Sequence, residues 1–172
     1  MMKKFYPIFI LTIIMLSSVV LLSVTNAFTK DKIVAQQNEQ DLTQLSGMFP
    51  DMTDYALSND IYIINKAGQK IGYAFIATGN GYGGAISIWV AVETDKTTVK
   101  GISIRSQSET AGLGARISLP SFAAKFVGKK INDIKLKQDG GQIDGITGST
   151  ISSRAVVEAV RKTALAKVQE LP

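Results

Sequence analysis

The sequence predicts an α+β fold: an antiparallel sheet packed with helices, preceded by one N-terminal transmembrane helix. Three observations predict it. A run without any charged residue extends from Phe5 to Phe28. Between Ile61 and Gln107, apolar side chains recur at alternate positions, the period of strands with a buried face. From Ser152 to Gln169 they recur every three or four positions, the period of an amphipathic helix.

The uncharged run carries Ile8-Phe9-Ile10-Leu11-Thr12-Ile13-Ile14-Met15-Leu16 and continues through Val19-Val20-Leu21-Leu22. Crossing a bilayer takes roughly 20 apolar residues. Lys3 and Lys4 precede the run, and cationic flanks stay on the cytoplasmic side. Residues 1–4 are therefore expected in the cytoplasm, 5–28 as a single-pass anchor in the cell membrane, and the main domain outside the cytoplasm. A cleaved signal peptide is the alternative, with Ala27 at the cleavage site and Thr25 two positions before it. The run exceeds the roughly 7–15 residues of a signal-peptide apolar core, which favours a retained anchor.

Residues 29–58 are expected to form a helical connector. Asp31 to Met48 lacks helix breakers until Gly47, and Phe49-Pro50-Asp51 reads as a turn. The domain proper is expected over 59–172. Ile61-Tyr62-Ile63-Ile64 and Lys70 to Thr78 are β-rich, and Lys66-Ala67-Gly68 suits a hairpin between them. Gly79, Gly81, Gly83 and Gly84 punctuate the connection to the next strand. From Ala85 to Val92, Ile86, Ile88, Val90 and Val92 share one face, while Ala85, Ser87, Trp89 and Ala91 share the other. Glu93 to Thr98 is a polar turn, and Val99 to Gln107 is the partner strand with Ile102 and Ile104 inward. A sheet of about four or five strands follows.

Phe122 to Val127 reads as a short amphipathic helix with Phe122 and Phe126 in the core. Ile134-Lys135-Leu136-Lys137 reads as an edge strand whose lysines face water. In the last helix, Val156, Val160, Ala164 and Val168 form the apolar stripe, and Glu158 and Lys162 are spaced for an ion pair. Arg154 sits in the first turn, where a cation opposes the helix dipole; solvent or a phosphate would offset that.

The chain of 172 residues carries a net charge of +5 and contains neither Cys nor His. Without the anchor, about 145 residues remain, enough for one domain with a core. Disulfides, thiolate nucleophiles, Cys-ligated iron–sulfur or zinc sites and His-based triads are all excluded. Redox chemistry would need an organic cofactor. No Lys/Arg cluster is interleaved with aromatics, so no nucleic-acid partner is expected.

Two stretches carry candidate chemistry. Asp144-Gly145-Ile146-Thr147-Gly148-Ser149-Thr150-Ile151-Ser152-Ser153 follows Gly140-Gly141 and opens the last helix. Unpaired N–H groups and the helix dipole stabilise an anion there, and the hydroxyls of Thr147, Ser149, Thr150 and Ser152 crowd the same corner. Read alone, the pattern is more often an ordinary N-cap. Ser108-Glu109-Thr110-Ala111-Gly112-Leu113-Gly114-Ala115-Arg116-Ile117 leaves a strand and enters a short helix. Gly112 and Gly114 would let the backbone lie flat beside a planar ring; a loop with helix caps is the plainer reading.

Both stretches resemble the FMN-binding domain family, which is shared by the G subunit of Rnf-type ion-translocating ferredoxin:NAD oxidoreductases and the C subunit of sodium-translocating NADH:quinone reductases. The family's flavinylation motif runs Asp, two variable residues, Ser or Thr, Gly, Ala, Thr. Here it is Asp144, Gly145-Ile146, Thr147, Gly148, Ser149, Thr150, with Ser149 in place of Ala. The resemblance implies that Thr150 carries FMN through a covalent phosphoester. The other stretch resembles the family's Glu-Thr-Pro-Gly-Leu-Gly loop, with Ala111 in place of Pro. It implies that Glu109, Thr110, Gly112, Leu113 and Gly114 line the flavin. A Gly-Tyr-Gly-Gly turn like Gly81–Gly84 belongs to the same likeness.

The implied protein is an electron carrier within a larger assembly, without catalytic residues of its own or a metal site, rather than an enzyme by itself. It would relay electrons within a membrane complex that couples ferredoxin:NAD electron transfer to ion translocation. Its partners would be the other subunits of that Rnf-type complex and a flavin transferase that draws on FAD, because Thr is a poor unaided nucleophile. Two alternatives stand beside this. One is a stand-alone extracytoplasmic flavoprotein feeding another respiratory reductase. The other is a non-redox module for phosphate-bearing ligands, which would purify colourless.

Overall fold

The computed structural model describes residues 2–171, with side chains from Tyr6 onward. The expected cytoplasmic end, residues 1–4 with Lys3 and Lys4, lies outside the described side chains. The chain divides into two compact units, residues 1–42 and 43–172.

Helix α1 runs from Met2 to Met48 without interruption. In the first unit, the apolar side chains from Ile8 to Leu22 stand exposed, as they would facing lipid. The most apolar window has a mean hydropathy of 2.6 and none of it is buried, so this helix is long and apolar enough to cross a membrane. The hydroxyls of Thr12, Ser18, Thr25 and Thr29 donate to carbonyls one turn back. Each of these polar groups is thereby satisfied without leaving the helix.

The second unit is built on one antiparallel meander. Its strands are β1 (Asp54–Ser58), β2 (Ile61–Lys66), β3 (Gln69–Asn80), β4 (Ala85–Val92) and β5 (Val99–Ser106), in that spatial order. The expected antiparallel sheet with helices is therefore present, with five strands. Strand β1 lies within the stretch expected to be a helical connector. All five of its residues are exposed, so it shows no burial alternation for a pattern to register. The first two hairpins turn on residue pairs with positive φ: Asn59 (49°) with Asp60 (60°), and Ala67 (48°) with Gly68 (79°). Paired positive φ matches the twist of adjoining strands.

The middle of the sheet is buried on both sides. Phe75, Ala77, Ile86, Ile88, Val90 and Val92 meet the helical layer of the domain. Trp89, Ala91, Ala74 and Ile64 meet Leu45 and Phe49 from the end of α1. A Cβ on Gly72 would lie 2.5 Å from the Phe49 ring, so that glycine leaves the slot the ring fills.

The helical layer comprises a 3-10 turn at Gly114–Ser118, the short α2 (Pro120–Ala123) continuing as a 3-10 turn through Phe126, and the long α3 (Thr150–Gln169). Phe122 and Phe126 are buried and meet edge to face, with centroids 5.5 Å apart. Helix α3 lays Val156, Val160 and Ala164 on the sheet. A Cβ at Gly79 of β3 would stand 2.5 Å from the Ala155 carbonyl oxygen, which shows how closely helix and strand approach.

The segment Ile134–Lys137 is not an edge strand. Ile134 and Leu136 are buried and Lys135 and Lys137 exposed, as alternation predicts, but its ladder contact is an isolated parallel bridge from Leu136 to Ile143. The Lys137 N–H donates to Ile143 O and the Ile143 N–H to Lys135 O, so this loop closes on itself. Burial beneath α3 produces the same pattern as a strand without any sheet.

Candidate functional site

Three segments converge at one end of the sheet: the turn after β3 (Gly81–Gly84), the loop after β5 (Gln107–Gly114), and the start of α3 (Gly148–Ser152). They enclose a half-open cavity of about 470 Å³. Its walls include Tyr82 from the first segment, Glu109, Thr110, Leu113 and Gly114 from the second, and Gly148, Ser149, Thr150, Ile151 and Ser152 from the third.

Glu109 ties these segments together. It is only 9% exposed. One carboxylate oxygen accepts the Gly83 N–H at 2.8 Å, and the other accepts the Ser152 hydroxyl at 2.5 Å. The glycines around it follow from that placement. A Cβ on Gly81 would collide with the same carboxylate, and one on Gly114 would lie 2.5 Å from Glu109 Oε2 and 2.7 Å from Ser152 Oγ. The glycines of both loops thus make room for a buried acid that joins them to α3. The Thr110 carbonyl closes the second loop by accepting the N–H groups of Leu113 and Ala115, both at 3.1 Å.

At the start of α3, Ser149 occupies the N-cap position, yet its side chain makes no capping hydrogen bond. Its hydroxyl is buried without a partner. The ordinary N-cap reading of this stretch fails on that point, because a capping side chain accepts an N–H from the first turn. Thr150, the first residue of the helix, is exposed beside it. Ser153, in the first turn, instead ties the preceding loop to the helix: its hydroxyl accepts the Ile146 N–H at 3.0 Å. Around the mouth, Tyr82, Leu113 and Ile151 expose large apolar side chains. A cavity with apolar lips, an unpartnered hydroxyl and a helix N-terminus suits a planar ligand with an anionic end.

Seven of the ten residues singled out from sequence meet here: Glu109, Thr110, Leu113, Gly114, Gly148, Ser149 and Thr150. Three do not line the cavity. Gly112 takes the left-handed conformation at φ 76° and shapes the loop. Thr147 faces an adjacent recess with Arg116 and Lys125. Asp144 points outward to Lys137 at 2.8 Å, and that contact holds its carboxyl below the usual range. Ser152, one of the hydroxyls crowding that corner, lines the cavity too, as do Tyr82 and Ile151, which the sequence did not mark as binding residues. Tyr82 was signalled only by its place in the Gly-rich turn. Arg154, exposed in the first turn, pairs with Asp139 at 3.2 Å.

Residues 81–165, which include all three converging segments, match the FMN-binding domain family. The chain is 35% identical over 168 residues to the G subunit of the ion-translocating oxidoreductase complex of Vibrio vulnificus (strain YJ016), covering 83% of this chain and 79% of that protein. It is 40% identical over 106 residues to the G subunit of the proton-translocating ferredoxin:NAD(+) oxidoreductase complex of Clostridium ljungdahlii, covering 60% and 57%. Among solved structures, it resembles the C subunit of the Na(+)-translocating NADH-quinone reductase of Parabacteroides distasonis, with a TM-score of 0.54 and 33% identity. That likeness spans 65% of this chain and 63% of the other, just under two thirds of its length.

Proposed function

The chain belongs to the FMN-binding domain family, among the G subunits of ion-translocating oxidoreductase complexes, and from that premise we propose that it is a membrane-anchored electron-transfer flavoprotein with FMN esterified to Thr150. The observation that carries this is the buried, unpartnered Ser149 hydroxyl beside the exposed Thr150 at the start of α3. The cavity residues fit the group. Ser149 Oγ and the free N–H groups of the first turn of α3 would take the phosphate end, with the dipole favouring its charge. Leu113, Tyr82 and Ile151 would flank the apolar ring system, and Thr110 offers a hydrogen bond to its polar edge.

Bound FMN supplies redox chemistry in one- and two-electron steps. The chain's own part is to hold and orient it. Glu109 ties the two loops to α3 and so fixes the walls of the cavity relative to one another. The phosphoester at Thr150 prevents loss by dilution outside the cytoplasm. Thr150 is an attachment point; a separate flavin transferase makes the bond from FAD, whose pyrophosphate breaks as the Thr150 oxygen takes the FMN phosphate, with AMP and the hydroxyl proton leaving, since the chain has no His to activate the hydroxyl.

The name of the Clostridium ljungdahlii relative supports a role in coupling ferredoxin:NAD electron transfer to ion translocation within an Rnf-type complex. Partner subunits carry the ion pathway, because a single anchor helix encloses none. Residues 5–28 anchor the chain with its amino end in the cytoplasm, 29–58 connect, and 59–172 form the extracytoplasmic flavin domain.

The test is in-gel fluorescence of the denatured protein, produced in cells able to flavinylate. A yellow-green band is expected in the parent chain and in Ser149→Ala, and none in Thr150→Ala. Mass spectrometry of the peptide spanning 144–154 should show the mass of FMN less water. An undiminished band in Thr150→Ala refutes the attachment site.

A further inference from the structure

A second cavity, of about 480 Å³, lies between α3 and the Ile134–Asp139 segment and shares no lining residue with the first. Ile134, Leu136 and Val157 lie buried beneath it. Its rim carries Lys135, Arg154, Arg161 and Lys162 against Asp139 and Glu158. Two of the cations are accounted for. Arg154 pairs with Asp139 at 3.2 Å, and Lys162 with Glu158 at 3.2 Å. Lys135 and Arg161 have no acidic partner among the described residues, so the rim holds an excess of positive charge.

Arg161 is the telling group. Its Nε is buried without a hydrogen-bond acceptor. Desolvating a guanidinium nitrogen without an acceptor is costly, more so than for a neutral donor. The planar fork of Arg matches the paired oxygens of phosphate or carboxylate. We propose that this groove is a second ligand site, taking a small organic oxyanion whose phosphate or carboxylate is held by Arg161 and Lys135 and whose apolar body lies against the aliphatic stems of the rim cations. The volume falls in the range of small-molecule pockets, roughly 300–1,000 Å³. Arg161 lies eleven positions beyond Thr150 on the same helix, about 16 Å along its axis. A ligand here is therefore distinct from the flavin phosphate, and the site does not depend on the flavin reading.

The test uses the full chain in uncharged detergent, with phenyl phosphate as the probe. The side-chain Nε–H signal of Arg161, followed by ¹⁵N NMR, should shift saturably on titration. Calorimetry should show binding weakened about tenfold in Lys135→Gln and lost in Arg161→Gln, since each removes a charged contact. Lys135 is exposed, so its replacement leaves the fold intact and keeps the test valid if Arg161→Gln unfolds. Asp139→Asn frees Arg154 and should tighten binding. Phenyl phosphate should bind at least about fivefold more tightly than inorganic phosphate, from burial of the ring. Competition by phosphatidylglycerol added to the detergent micelles would identify a lipid headgroup as the natural source, and its absence a soluble compound; either upholds the site. An Arg161 signal that does not move, affinity unchanged in Lys135→Gln, or equal affinities for the two phosphates would overturn the proposal.

Discussion

Replacing Glu109 with Ala removes the acceptor that joins the Gly81–Gly84 turn to α3. The carboxylate takes hydrogen bonds from the Gly83 N–H at 2.8 Å and the Ser152 hydroxyl at 2.5 Å. Ser152 is 2% exposed, so water reaches it poorly once the acceptor is gone. A hydrogen bond to a charged group contributes about 1.5–3 kcal/mol net, and a stranded buried donor costs a similar amount. Some overlap between the two bonds is expected, so the loss should be about 3 kcal/mol. Glu109→Gln keeps one acceptor oxygen, and the rotatable Ser152 hydroxyl can accept from the new amide; its loss should be about 1 kcal/mol. Trp89 is the chain's one tryptophan and is fully buried in the sheet. Its fluorescence reports unfolding of the domain while the apolar helix stays in the micelle. With a urea slope of about 2 kcal/mol/M, the midpoint should fall by about 1.5 M in Glu109→Ala and about 0.5 M in Glu109→Gln. Equal midpoints for the two variants, within about 0.25 M, would refute the assigned role, because a tie made of hydrogen bonds must distinguish an amide from a methyl group.

Two further outcomes follow from the same structure. Ser149→Ala in the flavin-free chain should stabilise the domain by about 1 kcal/mol, read as a higher urea midpoint, since it deletes a buried hydroxyl that bonds to nothing. Asp95 loses some solvation through partial burial, which would raise its pKa. Hydrogen bonds from the Thr98 and Thr97 hydroxyls and N–H groups win, and hold the carboxyl well below the ordinary range. A carboxyl depressed in the folded state contributes stability above the unfolded value, near about 3.9, and loses it as pH falls below that. Because the Asp95 side chain is 40% exposed, the contribution is small. Asp95→Asn should therefore lower the neutral plateau by that small amount and flatten the loss below about pH 4 equally, so that the two curves converge as pH falls, as read from Trp89 fluorescence across pH.

The elements most legible in the sequence were those whose patterns are local. The uncharged run at 5–28, the alternation at 85–92 and the stripe along α3 each follow from a single period of burial. Strand β1 was illegible because it is exposed along its whole length and exists only through pairing with β2. Ile134–Lys137 misled for the converse reason: alternating burial beneath a helix imitates a strand.

At the candidate site, residue types and spacing marked both stretches, and the familial likeness joined them. Composition alone ruled out thiol, imidazole and disulfide chemistry and required any electron carrier to be a bound organic group. Only the tertiary structure decided that Glu109 faces inward to Gly83 and Ser152, that Asp144 and Thr147 turn away from the cavity, and that Arg161 Nε lies buried without an acceptor. The physical reason is range. A helix or strand period is set by neighbours a few residues away, whereas a buried carboxylate or guanidinium finds its environment in segments dozens of residues distant, which meet only when the sheet and α3 close on each other.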